Sequence, residues 1–424
     1  MTTQPRVLIV SEHASASFGG EAALPLHYFR VLRRRGYNVW LITHARTREE
    51  LSRTFPGEQR IVYVEDTRLH ILMWRLGRRL PGRIAYFTVG FVSRFAAQLK
   101  QRKLVRSLVA EHGIDVIHQP MPVSPREPSL MCGFGVPVVI GPMNGGMEYP
   151  PAFARSRGLI ERWLVRAGRL ASWGLNRLLP GKRVAALLLV ANERTRRALP
   201  PGLRAPVVEL VENGVDVSLW NADTVASRPV SGAAGVTTFA FLGRLVDWKA
   251  VDLLLQAFQR AARRCAIRLL IIGDGTDRAR LQDLAAQLDI LARERTDVGR
   301  VYFVGWLTQA ECAVELRQAD CLVLSSLLEC GGAVVLEAMC AGKPVIATAW
   351  GGPVDYLDPS CGVLVAPDGR EGLIEGFAAA MTRLAAAPEL RREMGRAGRE
   401  KVMRDFDWEV KVDRVLALYE QVRS

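Results

Sequence analysis

Short apolar runs of strand length recur along the chain, and between them lie glycine-bearing polar loops and longer segments with apolar residues at helical spacing. Arg6 to Val10 is the first such run. A polar loop follows from Ser11 to Glu21 with adjacent glycines, Gly19 and Gly20. Ala22 to Arg35 then places Leu24, Tyr28, Val31 and Leu32 on one helical face, Gly36 ends it, and Asn38 to Thr43 is the next strand. Ile61 to Val64, Asp115 to His118, Val136 to Gly141, Val184 to Val190 and Val207 to Val211 continue the strand series. Residues 69–110 read as largely helical, broken at Pro81 and Gly82.

The second half alternates more regularly. Thr238 to Leu242, Arg268 to Ile272, Val301 to Val304, Cys321 to Ser325 and Pro344 to Ala347 read as strands. Val251 to Arg263, Arg278 to Glu294, Gln309 to Gln318 and Val334 to Cys340 read as the helices between them. This order predicts a doubly wound parallel α/β sheet. Asn221 to Val236, rich in Ala, Ser, Thr, Gly and Pro, reads as a domain boundary. The expected division is residues 1–217, a linker at 218–236, a second domain at 237–405 and a terminal amphipathic helix at 406–424.

At 424 residues the chain is too long for one ordinary core, so two domains are expected. No uninterrupted apolar run reaches the length of a membrane span, and the start of the sequence enters a strand without a secretory h-region. The 7 cysteines form no C-x-x-C pair and read as small buried residues of a reducing cytosol, with Cys330 packing in its glycine loop. These features predict a cytoplasmic protein.

The net charge of +14 is unevenly spread. No acid stands between Thr67 and Ala110, and only Glu161 opposes the cations from Arg155 to Arg183. Residues 68–106 and 155–183 therefore admit two readings. They are solvated helical inserts over the sheet, or they lie on an anionic membrane. Nucleic acid would also suit the charge, but no recognition motif accompanies it.

Four loops of the second half fall at predicted strand carboxyl ends, where open α/β sheets bind ligands. They are Gly243 to Lys249, Gly273 to Gly275, Gly305 with Trp306, and Glu329 to Gly332. Arg244 and Lys249 bring two cations. Gly331, Gly332 and Ala333 open a helix whose free N–H groups suit phosphate. Cations beside a helix N-terminus make a diphosphate site. Glu337 is able to accept from ribose hydroxyls, and Glu329 from sugar hydroxyls. Gly342 to Pro344 is not a P-loop, because no Ser or Thr follows Lys343. Gly273 to Arg278 lacks the third glycine of a dinucleotide fingerprint, and no clustered metal ligands are evident.

The stretch E-C-G-G-A-V-V-L-E, spaced as E-x7-E, occurs together with G-R-L-V-D-W-K-A-V-D, I-I-G-D-G, V-Y-F-V-G-W and N-G-V-D. This set resembles the retaining glycosyltransferases of family 4. The resemblance implies the GT-B fold, two Rossmann-like domains facing across a cleft, with the terminal helix crossing back to the first. It implies sugar transfer from a nucleotide diphosphate sugar of UDP or GDP type, with retained anomeric configuration and no required metal or other cofactor. The acceptor would be a glycan, a lipid-linked molecule or a small molecule, in cell-envelope or exopolysaccharide synthesis. By the same resemblance Arg244 and Lys249 hold the diphosphate, with Gly243, Gly273, Gly275 and Trp306 lining the donor site. Glu337 holds the ribose, Glu329 contacts the sugar, Gly19 and Gly20 form the first-domain loop, and His118 lies near the transferred sugar. Cys330 and Ala250 depart from the family pattern, which has glycine at both places. A nucleotide-sugar epimerase of the same fold, or a nucleotide-binding partner subunit without turnover, are the other readings. The intact Arg244, Lys249, Glu329 and Glu337 set weighs against the latter.

Overall fold

The computed structural model describes residues 4–78, 89–156, 159–221 and 235–423. Most of the expected linker, the break at Pro81 and Gly82, and Arg79 and Arg83 lie outside them. Among the described residues two all-parallel sheets form.

The first sheet is built from β1 (Val7–Val10), β2 (Val39–His44), β3 (Ile61–Val64), β4 (Val116–Gln119), β5 (Val138–Met143), β6 (Leu187–Val190) and β7 (Val207–Glu209), in the spatial order β3-β2-β1-β4-β5-β6-β7. β1, β4, β5 and β6 are buried along their whole length. That is why β1 and β6 read as continuous apolar runs rather than alternating ones. Register is set by pairs such as Val7 with Val39 and Val7 with Val116. A core of Leu8, Val10, Ile42, Val105, Ile117, Ile140 and Leu188 fills one face.

The second sheet contains β8 (Thr237–Leu242), β9 (Ile267–Ile272), β10 (Val301–Gly305), β11 (Cys321–Leu324), β12 (Val345–Thr348) and β13 (Gly362–Val365), in the order β10-β9-β8-β11-β12-β13. The chain thus runs outward one way from β8 and then returns to its other side at β11. This is the strand order of a doubly wound dinucleotide-type sheet, with its switch point between β8 and β11. Helix Val251–Ala262 buries Leu254, Ala257, Phe258 and Ala261, and it packs on helix Arg370–Ala386.

Among the elements that differ from the sequence expectation are a helix and a strand of the second unit. The helix begun at Arg278 stops at Gln287, not at Glu294, and Asp289 then takes a left-handed φ of 52°. β13 was not foreseen, because G-V-L-V is short and opens on glycine.

Backbone contacts divide the chain into two compact units. The first comprises residues 1–146, 158–213 and 411–424, and the second comprises 147–157 and 214–410. Most of helix Trp408–Arg423 therefore belongs to the first unit, where Arg35 pairs with Asp413 at 2.5 Å and Tyr419 is fully buried. Residues 147–157 belong to the second unit, an assignment the sequence did not suggest. Among the described residues no helix is long and apolar enough to cross a membrane.

Candidate active site

The second unit concentrates its charged chemistry where β8 and β11 end. Gly243 follows β8 with φ 155°, and a short 3-10 turn, Asp247–Lys249, carries the lysine. Ala250 closes that turn with φ 49°, a left-handed value that normally favours glycine. The lysine folds back over the strand end, so that a Cβ on Gly243 would lie 3.8 Å from Lys249 Nζ. Lys249 Nζ is ion-paired with the Glu329 carboxylate from the loop after β11. Both side chains are largely shielded yet reach solvent, at 13% and 14% exposure.

Two serines tie these loops together. Ser326 Oγ donates to Glu329 Oε2 at 3.0 Å, and Ser325 Oγ donates to the Lys249 carbonyl at 2.8 Å. The Leu327 N–H donates to the Trp248 carbonyl, also at 2.8 Å. Lysine and glutamate are thus held by a braced frame rather than by each other alone. An ammonium has three N–H donors. One directed at Glu329 leaves others for an incoming anion.

Backbone contact explains the glycines. A Cβ on Gly273 would sit 2.0 Å from the Gly243 carbonyl, and one on Gly275 would sit 2.2 Å from the Leu245 carbonyl. Gly273 N–H donates to the Gly305 carbonyl at 2.8 Å, so three strand-end glycines stack side by side. The Glu329 loop is closed in the same way from outside. Gly352 N–H donates to the Glu329 carbonyl at 2.8 Å, and a Cβ on Gly352 would meet the Gly331 carbonyl at 2.0 Å. Trp350 Nε1 donates at 2.8 Å to the Glu148 carbonyl in the 147–157 segment, which therefore backs the same loop. Gly332, at φ 74°, precedes helix Ala333–Cys340 and supplies no capping side chain. Val335 N–H donates to the Gly332 carbonyl at 2.9 Å, and the Ala333 and Val334 N–H groups before it stand at the helix N-terminus, an end that suits an anion.

Arg244 stands exposed beside this frame, its guanidinium 5.9 Å from the centre of the Trp248 ring. Glu337 lies one turn into the helix and is half-buried. Burial pushes its carboxyl up to about 7, and Cys312 of helix Gln309–Gln318 feels its charge. Trp306 is 71% exposed after β10, the edge strand two places from β8. The Cys330 thiol is exposed, which corrects its reading as a packing residue, and Cys265 is only partly buried.

In the first unit Gly19, with φ 96°, precedes the helix that begins at Gly20, and both glycines are exposed. His118 is fully buried in β4, and its Nε2 lies 2.6 Å from the Gly141 carbonyl, which can only accept. Nε2 is therefore the protonated nitrogen, and Tyr419 O–H donates to Nδ1 at 2.6 Å. Tyr28 packs edge-on at 4.9 Å between ring centres. Burial drops the imidazole to about 4, so the ring is neutral and fully partnered.

Sequence reasoning missed Ser325, Ser326, Trp350 and Gly352. The double serine ending an apolar strand run was a signal for the first two. The others act through contacts that no spacing rule encodes.

The model of the family described as glycosyl transferases group 1 matches residues 226–401, which contain all of this frame except the 147–157 segment. Among curated relatives, the glycogen synthase of Mycobacterium tuberculosis is 30% identical over 260 residues, covering 61% of this chain and 55% of the relative. The D-inositol 3-phosphate glycosyltransferase of Segniliparus rotundus is 34% identical over 221 residues, covering 50% and 46%. The chain spans about half the length of these curated relatives. Among solved structures, a glycosyltransferase from Rickettsia africae ESF-5 covers 99% of this chain and 98% of its own, with TM-score 0.66 at 15% identity. HepE of Anabaena, in complex with UDP, covers 98% and 100%, with TM-score 0.65 at 15% identity. These likenesses give the fold. The two parallel sheets of this chain have the GT-B fold, and its residues 226–401 match the glycosyl transferases group 1 model.

Proposed function

We propose that this chain is a retaining glycosyltransferase of family 4. It moves a sugar from a nucleotide diphosphate sugar to a hydroxyl of a glycan, lipid-linked or small-molecule acceptor. The observation that carries the proposal is the Lys249–Glu329 pair, braced by Ser325 and Ser326 at the switch point of the second sheet. The curated relatives differ by name in what receives the sugar, whereas the residues matched by the family model hold the donor-side frame.

In this reading the diphosphate lies against Lys249, Arg244 and the first turn of helix Ala333–Cys340. The bond between the sugar C1 and the diphosphate oxygen breaks, and negative charge collects on the leaving diphosphate. Those cations and N–H groups stabilise it where it develops, without a required metal ion. The acceptor oxygen forms its bond to C1 on the same face, and its proton passes to the leaving phosphate oxygen. Glu329 orients Lys249 and accepts from a sugar hydroxyl. Glu337 accepts from the ribose. The acceptor's setting is cell-envelope or exopolysaccharide synthesis.

The test is turnover of a panel of UDP- and GDP-sugars, with and without hydroxylated acceptors, in the presence of a chelator. Transfer with retained configuration supports the reading. Binding of every donor without hydrolysis or transfer of any would contradict it.

A further inference from the structure

The end of helix Leu159–Leu178, residues 170–178, is oriented against the usual rule. Ordinary surface helices turn apolar side chains inward and polar ones to water. Here buried Asn176 donates to the Arg126 carbonyl at 2.7 Å, and Ser172 Oγ donates to the same oxygen. These polar contacts fix the helix's rotation. The opposite side presents Leu170 at 72% exposure, Trp173 at 49% and Leu178 at 77%, and Val184 follows at 60%. Residues 170, 173 and 177 share one stripe by helical spacing. Arg177 lies in it, 6.0 Å over the Trp173 ring, and Arg183 donates to the Arg177 carbonyl at 3.2 Å.

A second helix repeats the pattern. In Arg68–Gly77, Leu69, Leu72 and Leu76 stand out at 40%, 51% and 41% exposure, three and seven positions apart, beside exposed Arg68 and Arg75. Helix Leu159–Leu178 meets the loop after β4 at Arg126, and helix Arg68–Gly77 is linked to that loop through helix Phe91–His112. His70 Nε2 donates to the Ser93 carbonyl at 3.1 Å, and Arg94 pairs with Glu127 at 2.6 Å, next to Arg126. Not every cation of the basic stretch serves this surface. Arg94, Lys100 and Arg102 turn inward, to Glu127, the Glu65 carbonyl and the Cys132 carbonyl.

We propose that these two outward helix faces dock the first unit on an anionic lipid bilayer. Protruding leucines suit acyl chains, and a tryptophan beside arginines suits the headgroup level. Residues 159–184 carry a single acid, Glu161, so the charge complements anionic headgroups. Protruding leucines have no use against nucleic acid. The inference stands apart from the glycosyltransferase reading, because its readout needs no turnover.

The experiment is co-sedimentation of the full chain with phosphatidylcholine vesicles, with and without phosphatidylglycerol. The expected result is binding that rises with the anionic lipid. Leu170→Ser/Trp173→Ser/Leu178→Ser should weaken it at least about tenfold, since each lost apolar group removes contact with the acyl region. These side chains touch solvent, so the thermal midpoint should hold. Arg177→Gln, a milder variant in case the triple one does not fold, should weaken binding roughly fivefold. Equal sedimentation with both vesicle types, or unchanged binding in Arg177→Gln, would overturn the proposal. So would a dimer in solution that the triple variant dissociates, because the faces would then be a contact between copies.

Discussion

The two sheets share an architecture and use it oppositely. Each reverses direction at a switch point, between β1 and β4 in the first unit and between β8 and β11 in the second. In the first, the β4 side chain His118 is sealed between Tyr28, Tyr419 and the Gly141 carbonyl and kept neutral. In the second, the strand ends carry a lysine and a glutamate that reach solvent from a frame of serines and glycines. Strand order supplies a location. Whether chemistry sits there depends on what fills it.

The largest effect expected from this contrast is on turnover. Lys249→Ala should lower it about 10²–10³-fold, the usual loss for one oxyanion-type donor, with the thermal midpoint nearly unchanged. Steady-state kinetics beside a melting curve checks both. Gly352→Ala comes next. Its Cβ would press on the Gly331 and Cys330 carbonyls, so stability should fall by about 1–3 kcal/mol, and donor affinity with it. Urea unfolding and nucleotide titration read the two losses.

The first unit should answer in the reverse sense. Tyr419→Phe removes the donor to His118 Nδ1 while keeping the ring. It should cost about 1 kcal/mol and leave kcat within about twofold. If kcat falls as in Lys249→Ala, the sealed histidine is not merely structural. Wild-type stability should also decline as pH drops from 6.5 toward 4. There the unfolded chain protonates this imidazole and the folded one does not.

The smallest effect is on pH dependence at Glu337. Its folded carboxyl titrates near 7 rather than at its ordinary 4.5, so its burial costs stability as pH rises through that window. Glu337→Gln should melt higher than wild type at pH 8, with the difference gone below about pH 4.5, while binding the nucleoside less tightly. A gain that persists at low pH would contradict the assignment.

Much of this was legible in the sequence, for physical reasons. Parallel strands buried on both faces must be continuous apolar runs, so most of them could be seen. Strand-end glycines announce close backbone approach, which Gly273 makes to the Gly243 carbonyl and Gly275 to the Leu245 carbonyl. Partners far apart in sequence could not be read. Lys249 meets Glu329 across 80 residues, and Tyr419 seals His118 across 301. A strand-end histidine looks the same whether it faces a sugar or a tyrosine. The rotation of helix Leu159–Leu178 was equally hidden, because a single carbonyl, that of Arg126, sets it.

The direct test of the switch-point contrast is calorimetric titration of UDP and GDP into wild type and Lys249→Ala, with uridine and guanosine as controls. The diphosphate assignment predicts that wild type binds one of the two diphosphates, that Lys249→Ala binds it at least about tenfold more weakly, and that affinity for the bare nucleoside is unchanged. Equal affinity of both proteins for the diphosphate would contradict it.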